Sequence, residues 1–485
     1  MTDRFDPYRP SRQRPGLSRR QFLGTATALG VGGAAFLAGC GSDDGGSSSD
    51  TTSGGADTTA GGGAETTAGT SPGTSGGSGG LTGGGGGDGT IRLGYVTPQT
   101  GPLAAFGESD AFVLGGLREL FADGLMIQGK SYKVDIIDRD SESNSNTAAT
   151  AAQELIANEG VHVLLVAQTP DTTVPVVQQA TNNEIPVLSN NAPWQPHYLG
   201  IGGELGPDIE PPLASPWNYH FFWGLEDVIE VFTSMWSDHT PGAIVGGLWP
   251  DDPDGNAWSD PNVGFPPALE QQGFTVVDPG RFPLGGSDYS AQINTFKDQG
   301  VEIVTGVLPP PDFGNFWAQA QQQGLKPVAV SLGKALLFPG AVASYQNPLG
   351  LSSEIWWSDK HPTTSSLTGQ SSADLARAYE EAENKQWTQP IGYVHSLFEV
   401  IVDAIVRAGG VEDKQALLDA IGETNLPTLA GNVDFTNPVV PHITKTPLVG
   451  GQWVESDKWD VEFKIVTNTQ FPDIPTDGTL QPMST

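Results

Sequence analysis

Cysteine is almost absent from this chain: Cys40 is the one such residue in 485. No intramolecular disulfide is possible, so the folded body is held by packing alone even in an oxidising compartment. Positive charge is scarce as well, with 23 lysines and arginines against 56 acids and a net charge of −33. Residues 1–39 hold six of the arginines and two aspartates, which leaves 17 basic and 54 acidic residues in the remainder, a net of −37. Such a polyanion repels nucleic acid and anionic lipid alike, which excludes DNA or RNA binding and charge-driven adsorption to a membrane. The apolar run of residues 22–39 is diluted by Gly, Thr and Ala, and it falls short of the ~20 apolar residues of a stable span. No His-Glu-x-x-His run occurs, and no nucleophile elbow or phosphate-cradling loop stands between a strand and a helix, the context those two need. The seven histidines are scattered, and His395 lies on an amphipathic helix as an ordinary packed or solvated residue.

What is present begins at the N-terminus. Ser18-Arg19-Arg20-Gln21-Phe22-Leu23 reads as a twin-arginine export signal, with Arg19 and Arg20 as the recognised pair. Leu37-Ala38-Gly39-Cys40 closes the apolar run as a lipobox, where the chain is cut before Cys40 and its sulfur is acylated. Residues 1–39 are therefore expected to be a signal peptide. The mature protein is expected at the cell membrane, lipid-anchored on the extracytoplasmic side. Residues 40–88 are almost wholly Gly, Ser, Thr, Asp and Ala. A segment of that composition buries too little apolar surface to offset chain entropy, and it predicts a disordered linker reaching roughly 35–40 Å.

From residue 91 short apolar runs alternate with amphipathic segments. Strands are predicted at 91–96, 132–138, 162–166 and 186–188, with helices at 105–121, 147–158 and 172–182 between them. The same grammar restarts with strands at 243–249, 274–277, 301–307 and 328–331. Helix-separated strands imply parallel sheets, and two such halves imply an α/β fold of two doubly wound parallel-sheet lobes joined by a three-strand hinge. The expected division is lobe I at 89–221 and 357–429, lobe II at 222–356, and a return to lobe II with the C-terminal tail at 430–485. The crossings then fall near Phe221, Trp357 and Ala430. A long helix over 391–408 stops at Gly409-Gly410. Ligands of open parallel sheets bind beyond the strands' carboxyl ends, which directs attention to the loops after Val96, Val166, Leu188, Trp249, Val307 and Ser331.

The loop after the first strand, Thr97 to Gly107, contains Thr100-Gly101-Pro102 and Phe106-Gly107. With Val134 to Asp140, Gly160 to Val166, Ile185 to Ser189 and Leu284 to Ser290, it resembles the branched-chain amino-acid-type solute-binding proteins, the type I periplasmic binding proteins of ABC importers. The resemblance covers nearly all of residues 90–430. It implies a receptor without enzymatic activity that captures a small solute and delivers it to the transmembrane subunits of an ABC permease. The implied receptor is a monomer with no cofactor and no metal. The alternative is a ligand-sensing receptor lipoprotein or an amide-binding regulator of the same fold.

In that family the first lobe holds the ligand's carboxylate at a helix N-terminus and an adjoining loop, which suits an anion. Here those positions read Gln168, Thr169, Asp171 and Thr172, then Asn190, Asn191 and Trp194. Thr169 and Thr172 offer hydroxyls, whereas Asp171 either opposes a carboxylate or caps its helix. Phe106 matches the family's aromatic wall, with hydrophobic core as the competing role, and Trp194 suits stacking on a flat ligand. Lys334 stands where the resemblance implies an ammonium-binding acid, which favours an apolar or aromatic carboxylate, or an amide, over a zwitterion. Asp312 and Asp254 are the other possible cation partners. The loop Pro250 to Trp258, with Asp254 and Asn256, invites a calcium reading. Placing Gly255 at the sixth EF-hand position puts proline at both ends, which removes two ligands, so a binding turn is expected instead.

Overall fold

The computed structural model describes residues 81–205, 215–236 and 242–483. Arg19, Arg20, Cys40 and most of the glycine-rich segment lie outside the described residues. Two sheets of seven strands organise the body. Strands β1 (Thr90–Thr97), β2 (Leu125–Ile127), β3 (Lys130–Asp140), β4 (Val163–Ala167), β5 (Val187–Asn190) and β6 (Asn218–Phe221) build the first. Strands β7 (Ile244–Leu248), β8 (Thr275–Val277), β9 (Ile303–Leu308), β10 (Ala329–Lys334) and β11 (Ser352–Ile355) build most of the second. A separate hairpin, β12 (Asn425–Thr428) and β13 (Gly431–Asp434), precedes β14 (Ile443–Thr444), β15 (Val449–Glu455) and β16 (Val461–Thr467).

The orders are β14-β6-β5-β4-β1-β3-β2 and β16-β15-β11-β10-β9-β7-β8. Both sheets are parallel except at β2–β3, β11–β15 and β15–β16. Leu93 pairs with Ile136 on one side and Val163 on the other, and every residue of β4 and β9 is buried. Such strands are covered on both faces, which is why they read as unbroken apolar runs. Helices Ser145–Glu154 and Pro170–Asn182 cover one face of the first sheet, and Asp110–Leu120 and Pro390–Ala408 the other. Helix Ser145–Glu154 continues into a π-turn, Leu155–Glu159, that ends on left-handed Gly160.

The chain crosses between lobes three times, after β6, after β11 and between β14 and β15. The third crossing lies at 445–448 and not at 430. Ala430 still belongs to lobe I, where its N–H donates to Ser396 Oγ at 2.9 Å. All three crossings meet Tyr393 on the long helix. Its ring packs edge-on against Phe222 at 5.2 Å and Trp356 at 4.8 Å, and its hydroxyl donates to Thr446 at 2.7 Å. A second hinge cluster is ionic: Lys445 bridges Glu226 at 2.8 Å and Asp227 at 2.6 Å, and Trp194 Nε1 donates to Glu226 at 3.2 Å.

The glycine-rich segment ends in ordered structure from residue 81 rather than at 88. Gly84, Gly85 and Gly86 all have positive φ, and this left-handed turn lies on the β2–β3 hairpin through bridges Thr82–Leu125 and Gly87–Tyr132. A Cβ on Gly84 would sit 2.6 Å from Ser131 Cβ, so side chains are barred by contact as well as by φ. The hairpin spans Gly124-Leu125-Met126-Ile127-Gln128-Gly129-Lys130-Ser131, which has the spacing of a phosphate loop. It forms a two-residue β-turn at Gln128 and Gly129, both with positive φ, and the Ser131 N–H donates to the Asp88 carboxylate at 2.7 Å. No helix N-terminus follows, so this match carries no phosphate-binding geometry.

Candidate functional site

The cleft between the lobes lies at the carboxyl ends of the parallel strands. Lobe I contributes Phe106, Thr169, Asn191 and Pro193, and the crossings contribute Phe222, Trp223 and Trp356. Lobe II contributes Asp254, Trp258, Val307, Lys334, Leu337 and Glu354. Phe106 meets Phe338 of lobe II edge-to-face at 4.8 Å, so the two walls touch. Free space within amounts to about 20 Å³, roughly one water's worth. The lobes are closed upon each other.

Lys334 ends β10 with φ of 62° and turns its side chain into the cleft's floor. Its Nζ lies 2.7 Å from Asp254 Oδ2 and 3.0 Å from Asp252 Oδ2, and all three side chains are at most 6% exposed. Asp252 also caps helix Pro253–Trp258 by accepting the Gly255 N–H at 2.6 Å. The segment read as a loop is thus the start of a helix. Gly255 is required there because a Cβ would fall 2.0 Å from Pro250 O. Gly333 is required for a different reason: Trp258, stacked on Phe265 at 4.8 Å, passes within 2.9 Å of where its Cβ would be.

The charges in the cleft are unbalanced. Burial pushes Asp254 up to about 6, against the lowering pull of Lys334, with Asp252 adding repulsion. Burial likewise pushes Glu354 up to about 7, although Ser353 Oγ donates to it at 2.7 Å. Half-buried Asp171 across the cleft is raised by burial, lowered by Lys334 and raised again by Asp252. Burial alone would depress Lys334, but Asp252, Asp254 and Asp171 hold its ammonium well above the usual lysine range. Four carboxyls therefore share the cleft with one ammonium, which pairs with two of them.

Hydrogen bonding in the cleft is incomplete. Six lining residues carry buried side-chain polar atoms without a partner: Thr169 Oγ1, both Asn191 amide atoms, Asp254 Oδ1, and the indole N–H groups of Trp223, Trp258 and Trp356. Each such group costs about 1–3 kcal/mol when left unmade. Their concentration around one cavity is the mark of a binding site.

Of the residues singled out from the sequence, Phe106, Thr169, Asn191, Asp254 and Lys334 come together on this lining, with Asp171 beside it. The others do not line it. Gln168 braces the loop beneath, accepting from Ser141 at 2.7 Å and donating to Val96 O at 3.1 Å. Thr172 bonds the Thr169 carbonyl at 3.4 Å, and Asn190 donates to Tyr393 O at 2.9 Å. Trp194 begins helix Trp194–Gly200 and packs at the hinge. Asn256 is exposed and donates to Asp251 at 3.3 Å. Asp312 accepts the Gly285 N–H at 2.7 Å and the Tyr289 hydroxyl at 2.8 Å, which makes it the brace of the 283–289 loop. Thr169, not Asp171, occupies the N-cap position of its helix. Glu354, Trp258 and Asp252 were not singled out from sequence, although Glu354 lies near the end of a strand and Asp252 and Trp258 bound the short helix that follows β7.

The family described as periplasmic binding protein matches residues 90–457 of this chain. The chain belongs to that family. Solved structures share its two-lobed fold. A leucine binding protein from Thermotoga maritima is 18% identical, covering 78% of this chain and 99% of its own at a TM-score of 0.61. An ABC transporter substrate-binding protein from Sphaerobacter thermophilus is 21% identical, with 79% and 99% covered at 0.61. A solute binding protein from Rhodopseudomonas palustris in complex with 3,4-dihydroxy benzoic acid is 17% identical, with 79% and 99% covered at 0.61. No match was found among curated proteins.

Proposed function

We propose that this periplasmic binding protein is the lipid-anchored substrate-binding component of an ABC importer. It captures a small solute between its lobes and delivers it to the permease as a monomer, performing no chemistry. The observation that carries this reading is the cleft itself: both lobes and the aromatic residues of two crossings converge on one cavity in which seven buried side-chain polar atoms lack partners. A solute that bridges both walls stabilises the closed arrangement by its extra contacts there. A solved neighbour named as a leucine binding protein, and another named as a solute binding protein of an ABC transporter in complex with 3,4-dihydroxy benzoic acid, support the same role. The carboxylate-bearing or amino-acid-like solute implied by family resemblance has support from the Thr169 hydroxyl at the start of helix Pro170–Asn182. The surrounding acids weigh against it. Anchoring rests on the lipobox at Cys40 and the arginine pair; no helix among the described residues is long and apolar enough to cross a membrane.

Small-angle scattering of the full-length protein tests capture. Its radius of gyration should fall when a cognate solute is added and rise again after dialysis. Tight solute binding with an unchanged radius would reject lobe closure.

A further inference from the structure

The cleft's chemistry narrows the solute beyond the capture reading, on which this inference rests. The unpartnered atoms are of both kinds and lie intermixed: indole N–H groups and the Asn191 amide nitrogen are donors, while Asp254 Oδ1 and Asn191 Oδ1 are acceptors. A carboxylate accepts only, and an alkylammonium donates only. A hydroxyl does both, so a ring bearing several hydroxyls can satisfy the whole set.

Charge excludes the two ionic alternatives from opposite sides. An entering carboxylate meets Asp171, Asp254 and Glu354, and the Lys334 ammonium that would receive it is already held by two aspartates at 2.7 and 3.0 Å. An entering cation meets that same ammonium and three indole N–H groups, each with its positive end unpartnered. An uncharged solute meets neither repulsion. Phe106, Phe222 and the three indoles supply flat apolar walls, which suit the C–H faces of a saturated ring. We infer that the cleft takes an uncharged, polyhydroxylated ring, with hydroxyls hydrogen-bonded to Trp223, Trp258 and Trp356 on one side and to Asp254 and Asn191 on the other.

Calorimetry and scattering on the full-length protein test this with D-xylose, D-glucose and myo-inositol, against leucine, 4-hydroxybenzoate and choline. At least one uncharged ring should bind and compact the protein, with affinity changing less than about twofold between low and high salt. Deoxy analogues of that ring should bind about ten- to a hundredfold more weakly, because each missing hydroxyl leaves a buried group unpaired. Trp258→Phe keeps an aromatic wall and removes one donor, and should weaken binding about tenfold. Thr169→Val, whose hydroxyl caps nothing, gives an independent second variant with the same expectation. Binding and compaction by leucine, 4-hydroxybenzoate or choline but by no uncharged ring would overturn this class and leave solute capture standing. Equal affinity for deoxy analogues would overturn the hydrogen-bonding assignment. Failure of every compound in both sets to bind would count against the ring class and against capture together.

Discussion

Lys334 is the residue on which the cleft's electrostatics turn. Its ammonium makes two buried aspartates tolerable, and removing it leaves both uncompensated. Lys334→Met should cost about 3–5 kcal/mol in urea unfolding, with a smaller loss at pH 5, where the stranded carboxyls take up protons. Glu354 sets a separate pH dependence. Its pKa rises from 4.5 in the unfolded chain to about 7 in the folded one, so the folded state holds a proton that the unfolded state releases. Stability from this group is full below pH 4.5 and is lost as pH rises through about 7. Asp110, raised by burial to about 7, acts in the same direction. Glu354→Gln should therefore be more stable than the parent at pH 8 by roughly 2–3 kcal/mol and nearly equal to it at pH 4. Thermal melts across that range would show the two curves converging toward acid.

These pairings were only half legible in the sequence. Asp254 and Lys334 stand out because each follows a strand, yet they are 80 positions apart and meet only because β7 and β10 flank β9. Nothing local announces that contact. Lys334 at an acid's expected position looked like a specificity change alone, and the structure shows it is also an internal counterion. Trp194 misled for the opposite reason: prolines on both sides suggested a free loop, but Pro193 precedes a short helix and the ring packs at the hinge.

At the scale of elements, strands buried on both faces announce themselves, and β1, β3, β4 and β5 fall within about two residues of their expected bounds, whereas the three-residue edge strand β2 was not expected. Short elements do not. β14 has two residues and no periodicity, so the third crossing could not be placed from pattern, and the chain's last return came out some fifteen residues early. Glycine runs are equally ambiguous, since composition alone cannot separate a coil from a left-handed turn. Gly85→Ala, where a Cβ meets open space, should cost about 1–2 kcal/mol of local stability from φ alone. Gly84→Ala adds a clash with Ser131 and should cost more. Limited proteolysis between residues 81 and 89 would rank the two, with Gly84→Ala cut faster.

At the scale of the whole molecule, a nearly filled cleft has a kinetic consequence. With about 20 Å³ free, solute enters only while the lobes are parted and closure follows its entry, so the observed rate should level off at the closing rate as solute concentration rises. Stopped-flow tryptophan fluorescence, with Trp223, Trp258 and Trp356 in the cleft, would report that plateau, and a rate linear to high concentration would contradict it. Cys40→Ser should move the protein from the membrane to the soluble fraction, and an unmodified Cys40 thiol in the mature chain would show that no anchor forms.

The ordered glycine turn has a consequence for how copies of this molecule behave toward one another. β2 is the outermost strand of its sheet and reads Leu125-Met126-Ile127, an apolar edge whose open backbone would accept a foreign strand. Residues 81–87 occupy that edge: the Met126 N–H donates to Leu81 O at 2.7 Å, and Thr82 bridges Leu125. A stretch that looks like mere spacer thus shields the body from edge-to-edge association, and a chain trimmed to begin at residue 90 should scatter light increasingly with concentration while the full chain does not.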